Sequence, residues 1–138
     1  MTVDNKGRVT DGALNNTLPY DIVFYIASTP YNIDTVIAGF LSPRVITITA
    51  GSLNIAKCNI IPTTTNTVFS INLQGVQVAT ATFNIGSSIG VISFISGSVI
   101  SIAIGDILTI STTNVIDSVI AGIGITFVGV SSTINPLL

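Results

Sequence analysis

Residues 58–105 form a run of 48 positions without one charged side chain. Two kinds of structure tolerate such a run. One is a membrane span; the other is a set of β-strands whose exposed faces carry hydroxyls and amides in place of ions. The interleaving of the residues decides between them. Ser, Thr, Asn and Gly recur throughout. Even the most apolar window, 89–104, contains Gly90, Ser93, Ser96, Gly97, Ser98 and Ser101, well short of the ~20 continuous apolar residues of a helical span. An outer-membrane barrel wants girdles of aromatic residues, and this chain has no Trp and three Tyr, at positions 20, 25 and 31. The run reads as strands of a globular β-domain.

The rest of the chain agrees. It has 24 Ile, 14 Val and 18 Thr against 8 Leu. β-Branched side chains are stiff at χ1 and suit a pleated surface better than a helix. The sharpest local signal is a hairpin, 68–73 and 76–83 joined by Gln74-Gly75. Gly75 supplies the positive φ that a tight primed turn demands. Phe69, Ile71 and Leu73 then share one face, and Ser70 and Asn72 the other. A first strand is expected at 21–26 and a closing one at 123–130, with room for at most a helical turn at 118–124. In total about nine short strands are expected, with turn signals every eight to twelve residues or so. The fold class is therefore all-β: an antiparallel β-sandwich, jelly-roll-like, with an extended N-terminal arm. At 138 residues the chain makes one folded domain. Residues 1–19 are polar, without an apolar period, and form the arm; residues 20–138 form the β-sandwich domain.

Charge excludes several functions. Six Asp face two Lys and two Arg, for a net charge of −2, with no Glu and no His. Clustered Lys and Arg are what nucleic acids and anionic membranes bind, and four scattered cations supply neither. Charged residues make up 7% of the chain, against about one-quarter in an ordinary soluble domain. Burial of much of the surface by copies of the chain or by other subunits resolves that deficit. The start of the chain has no apolar stretch of the secretory kind.

Catalytic chemistry finds little to work with. There is no His and no Glu for proton transfer, and the many Ser and Thr have no neighbouring base to activate them. The six Asp, at positions 4, 11, 21, 34, 106 and 117, fall mostly at strand ends or in the arm, where their side-chain oxygens cap turns. A calcium site would need Asp34, Asp106 and Asp117 to converge. Cys58 is the one cysteine, so it forms no intramolecular disulfide and reads as a small buried hydrophobe. Tyr20, Tyr25 and Tyr31 could together form a sugar platform; packed at the sandwich edge with wet hydroxyls they would be structural. The chain is read as non-enzymatic, with no catalytic, cofactor-binding or metal residues and no cofactor.

Across 18–129 the chain resembles a small β-sandwich module of tailed-bacteriophage virion proteins, of fibre, tail-associated or capsid-decoration type. The resemblance rests on Leu18-Pro19-Tyr20-Asp21-Ile22 with Phe24-Tyr25 and on Ser42-Pro43-Arg44. It continues through Thr67-Val68-Phe69-Ser70-Ile71, Gly75-Val76-Gln77-Val78 with Thr80, Gly105-Asp106-Ile107-Leu108-Thr109-Ile110, and Ile125-Thr126-Phe127-Val128-Gly129. The chain departs from the family pattern at Gln74, where Asn is usual, and in being Ile-rich where relatives are Ala-rich. The resemblance implies a structural virion protein, assembled in the host cytoplasm. Its partners would be itself, as a homotrimer, and major capsid or tail proteins bound through residues 1–19, with a host-surface glycan as a further partner. Standing alone behind a short arm, the module points to capsid decoration, cement or a head appendage. The alternatives are a tail-fibre or baseplate component and, more remotely, a bacterial surface carbohydrate-binding module.

Overall fold

The computed structural model describes residues 15–51, 53–95 and 97–134. Ten strands follow one another: β1 (Asn15–Ile26), β2 (Val36–Leu41), β3 (Ile46–Thr49), β4 (Ile55–Ile60), β5 (Thr67–Leu73), β6 (Val76–Phe83), β7 (Ile89–Phe94), β8 (Val99–Ile102), β9 (Ile107–Thr112) and β10 (Ala121–Ile134). All pairings are antiparallel, and no helix occurs among the described residues. The 118–124 segment bends straight into β10 instead of forming a helical turn.

The strands join in a single open sheet in the order β2-β9-β5-β6-β7-β4-β10-β3-β8, with β1 on β10. Two strands hold it together. β10 pairs with β1 along one edge, from Asn15↔Ile134 to Ile26↔Ile123 without a slip. Along its other edge it pairs with β4 and then with β3. β7 changes partner partway: Ile89 and Gly90 pair with β4, while Val91 to Phe94 pair with β6. Hydrogen bonding therefore runs unbroken through β7 from one half of the sheet to the other. The first strand also begins earlier than expected. Residues 15–19, assigned to the arm, extend β1, since the last residues of β10, 130–134, offer them backbone partners. Residues 1–14 of the arm lie outside the described residues.

Alternation fills the interior. In β5, Thr67, Phe69 and Ile71 are buried and the residues between them half-buried. β3 buries Ile46 and Ile48, β8 buries Ile100 and Ile102, and β9 buries Leu108 and Ile110. Phe69 and Phe83 meet edge to face at 6.0 Å, as do Phe24 and Phe127 at 6.5 Å, the arrangement that ring quadrupoles favour. The apolar side chains among these belong to one core cluster drawn from both halves of the sheet. Tyr20 on β1 also packs against Phe40 on β2 at 6.1 Å, so β2, at one end of the hydrogen-bonded order, comes back against β1. The sheet is curled around its own apolar face.

Two glycines carry this geometry. Gln74 (φ 52°) and Gly75 (φ 80°) form the primed hairpin turn expected between β5 and β6. Gly90 sits where β7 changes partner, and a Cβ there would lie 2.8 Å from Ala56 Cβ and 2.9 Å from the Phe83 ring. Both neighbours are core atoms without slack, so Gly90→Ala is expected to cost about 1–3 kcal/mol, as overpacking does. Chemical denaturation should show this as a lowered midpoint at unchanged slope. A midpoint equal to that of the unsubstituted chain would mean that the crossover is not tightly packed.

Candidate functional site

The carboxylates do not converge. No group of three His, Cys, Asp or Glu side chains capable of holding a metal ion occurs among the described residues, so Asp34, Asp106 and Asp117 do not make the calcium site weighed above. Each does something different. Asp106 caps a tight turn, with its Oδ2 accepting from Ala103 N at 3.0 Å. Asp34 stands exposed in the β1–β2 loop with a left-handed backbone, φ 48°. Asp21 faces outward on β1 opposite Val128. Asp4 and Asp11 lie outside the described residues.

Asp117 is fully buried. Its Oδ2 accepts from the backbone N–H groups of Thr63, Thr64 and Thr65 at 2.8–3.0 Å and from Thr64 Oγ1 at 3.1 Å. Its Oδ1 accepts from Val119 N at 2.9 Å, and its own N–H donates to the buried Thr67 Oγ1 at 2.8 Å. Burial alone would push this carboxyl upward. The N–H donors of Thr64, Val119, Thr65 and Thr63 outweigh it and hold the group well below the usual carboxylate range. With no cation among its contacts, Asp117 is a structural anion that ties the 63–65 loop to the entry of β10.

The tyrosines separate. Tyr20 and Tyr25 are five residues apart on one strand, an odd spacing that places them on opposite faces. Tyr20 turns inward to Phe40. Tyr25 turns outward, its ring beside Gly124 and its hydroxyl accepting from Asn59 Nδ2 at 3.5 Å. Tyr31 is in the exposed loop that follows β1. No common sugar platform forms. Cys58 is buried, and burial raises its thiol pKa, which makes it an unreactive packing residue.

Two outward surfaces remain, and they differ in chemistry. Across β1, β10, β4 and β7 the outer face is largely apolar. Val23 pairs across to Thr126 and Thr126 to Ile55. In the neighbouring row Tyr25 pairs to Gly124, Gly124 to Lys57 and Lys57 to Ile89. Val23 is 68% exposed, Ile89 64% and Ile55 55%, and Val91 and Val130 extend the surface. Among the described residues, only Lys57 and Asp21 bring charge to it. Across β9, β5 and β6 the outer face is a carpet of hydroxyls and amides, with Ser111 opposite Ser70, Ser70 opposite Thr80, Thr109 opposite Asn72, and Asn72 opposite Gln77. The alternation of Ser70 and Asn72 with Phe69 and Ile71 marks this face in the sequence. The non-local pairing that adds Ser111 and Thr109 does not.

Searches against protein-family models, curated proteins and solved structures return no match to this chain.

Proposed function

We propose that this chain is a non-enzymatic structural virion protein of a tailed bacteriophage, an oligomeric surface subunit of the capsid-decoration, cement or head-appendage type. The supporting observation is the apolar outer face of β1, β10, β4 and β7 on a chain with ten charges in all. An exposed apolar sheet face of this kind is covered when subunits associate, and closed symmetry, here a homotrimer, covers it without leaving a growing end. The curled sheet is read as a jelly-roll-like sandwich whose two halves face each other across one core. Residues 1–19 contact the major capsid or tail protein, with 15–19 continuing β1. The resemblance of residues 18–129 to phage virion modules motivates the choice of a virus over a cellular surface.

Quantitative mass spectrometry of purified virions tests this reading. Decoration predicts copies on the order of hundreds per particle, in a fixed ratio to the capsid protein as symmetry requires. A handful of copies in multiples of three would move the protein to the tail fibre or baseplate. Absence from intact particles would overturn the virion assignment.

A further inference from the structure

The hydroxyl and amide face holds a shallow groove of about 380 Å³, lined by Asp34, Ser70, Asn72, Gln77, Ser111 and Thr113 among others. Its polar side chains are wired in one direction. Gln77 Nε2 donates to Ser70 Oγ at 2.9 Å, Ser70 Oγ donates to Asn72 Oδ1 at 3.0 Å, and Asn72 Nδ2 donates to Ser111 Oγ at 3.3 Å. Each donor in such a chain polarises the next. The last member, the Ser111 hydroxyl, keeps its own proton for a ligand, because it donates to nothing among the described residues. Among the described residues, one N–H of Asn72 and the side-chain carbonyl of Gln77 are also without a partner.

Asp34 completes the groove. Its carboxylate has no hydrogen-bond partner among the described residues, and the loop carrying it is fixed from behind. Thr112 Oγ1 accepts from Thr35 N at 2.9 Å and donates to Asn32 O at 2.6 Å. A left-handed backbone at a residue other than glycine costs free energy and persists where its surroundings impose it. Here those bonds hold a free acceptor in the same groove as the free Ser111 and Asn72 donors.

This set of groups selects a ligand class. No Lys or Arg lines the groove, so a phosphate or carboxylate ligand would meet Asp34 with nothing to balance its charge. No aromatic ring lines it either, so a flat apolar ligand has nothing to stack on. A carboxylate that accepts two hydroxyl protons, beside hydroxyl and amide donors, matches a neutral molecule bearing adjacent hydroxyls. We infer that this groove binds a neutral sugar residue of a glycan, with Asp34 accepting from adjacent sugar hydroxyls and Ser111 and Asn72 donating to a third oxygen. The inference does not depend on the apolar face or on the oligomer.

Saturation-transfer NMR on the purified full chain provides the test, with glucose, galactose, mannose, N-acetylglucosamine and sialic acid as separate probes. At least one neutral sugar should give a saturable signal, and sialic acid a weaker one. Asp34→Ala and Ser111→Ala should each weaken binding about tenfold, the effect of losing one hydrogen bond that involves a charged or polarised partner. Ile55→Lys, on the apolar face, should leave binding unchanged. Both groove residues are at least partly exposed, and Gln77→Ala, at the head of the chain and exposed, offers a milder third variant with a smaller loss. Silence from every neutral sugar, a strongest response from sialic acid, or equal binding by all three groove variants would overturn the assignment.

Discussion

Asp117→Ala should be strongly destabilising, lowering stability by about 3 kcal/mol or more. Removing the carboxylate leaves four backbone N–H groups and a hydroxyl without their acceptor, at roughly 1–3 kcal/mol for each one that water cannot reach. The exposed 63–65 loop recovers part of that by opening to solvent. Asp117→Asn keeps the shape and one acceptor oxygen, so it should cost less than Ala. The pH dependence separates charge from shape. The folded carboxyl sits below its unfolded value of about 3.9, so its stabilisation is complete above that value and is lost as pH falls toward the folded one. The stability gap between the native chain and Asp117→Asn should therefore be widest near neutrality and narrow on acidification below about pH 4. Urea titrations at a series of pH values would show this, and a gap that stays constant or widens in acid would mean the carboxylate is not held as an anion.

If subunits associate through the apolar outer face, as proposed, Val23→Lys combined with Ile55→Lys should convert the oligomer to monomer at concentrations where the unsubstituted chain remains assembled. The two positions flank Thr126 on the outer face, and Lys57 already lies on the same side of β4. An uncompensated charge in a buried contact costs several kcal/mol, so two per subunit should raise the dissociation constant by roughly 10²-fold or more. Both side chains are exposed within the single chain, so the thermal midpoint measured at high dilution should be almost unaffected. Size-exclusion chromatography with light scattering reads the outcome. A double variant that still assembles places the contact elsewhere, and an unsubstituted chain that is monomeric at high concentration removes the association argument altogether.

What the sequence discloses follows from how local each feature is. The β5–β6 hairpin is legible because Gly75 and the alternation of Phe69 and Ile71 with Ser70 and Asn72 are neighbours along the chain. The irregularity inside it is not. Ile71 pairs with Ala79 but Asn72 with Gln77, so one extra residue interrupts β6 and lets Val78 pack against the core while Gln77 points out. Nothing in Val76-Gln77-Val78 marks that bulge. The polar residues at 15–17 read as arm because their strand character comes from β10 rather than from their own side chains. Asp117 looks like any turn aspartate, since its partners at 63–65 are more than fifty residues away. The change of partner at Gly90 that joins the halves of the sheet is equally non-local. The groove follows the same division: Ser70 and Asn72 are placed by alternation, whereas Asp34 and Ser111 reach them only through the β2–β9–β5 pairing.

The clasp between β1 and β10 also sets the order in which the molecule can be completed. Among the described residues, β1 pairs only with β10, and the eight other strands are made in between. Until β10 arrives, β1, β3 and β4 lack a shared hydrogen-bonding partner, while the β5–β6 hairpin can already close. Closing so long a loop carries an entropic penalty that is met before the contact rewards it. Nascent chains should thus remain open to proteases late into synthesis and become resistant abruptly, in one step, once β10 is free to dock.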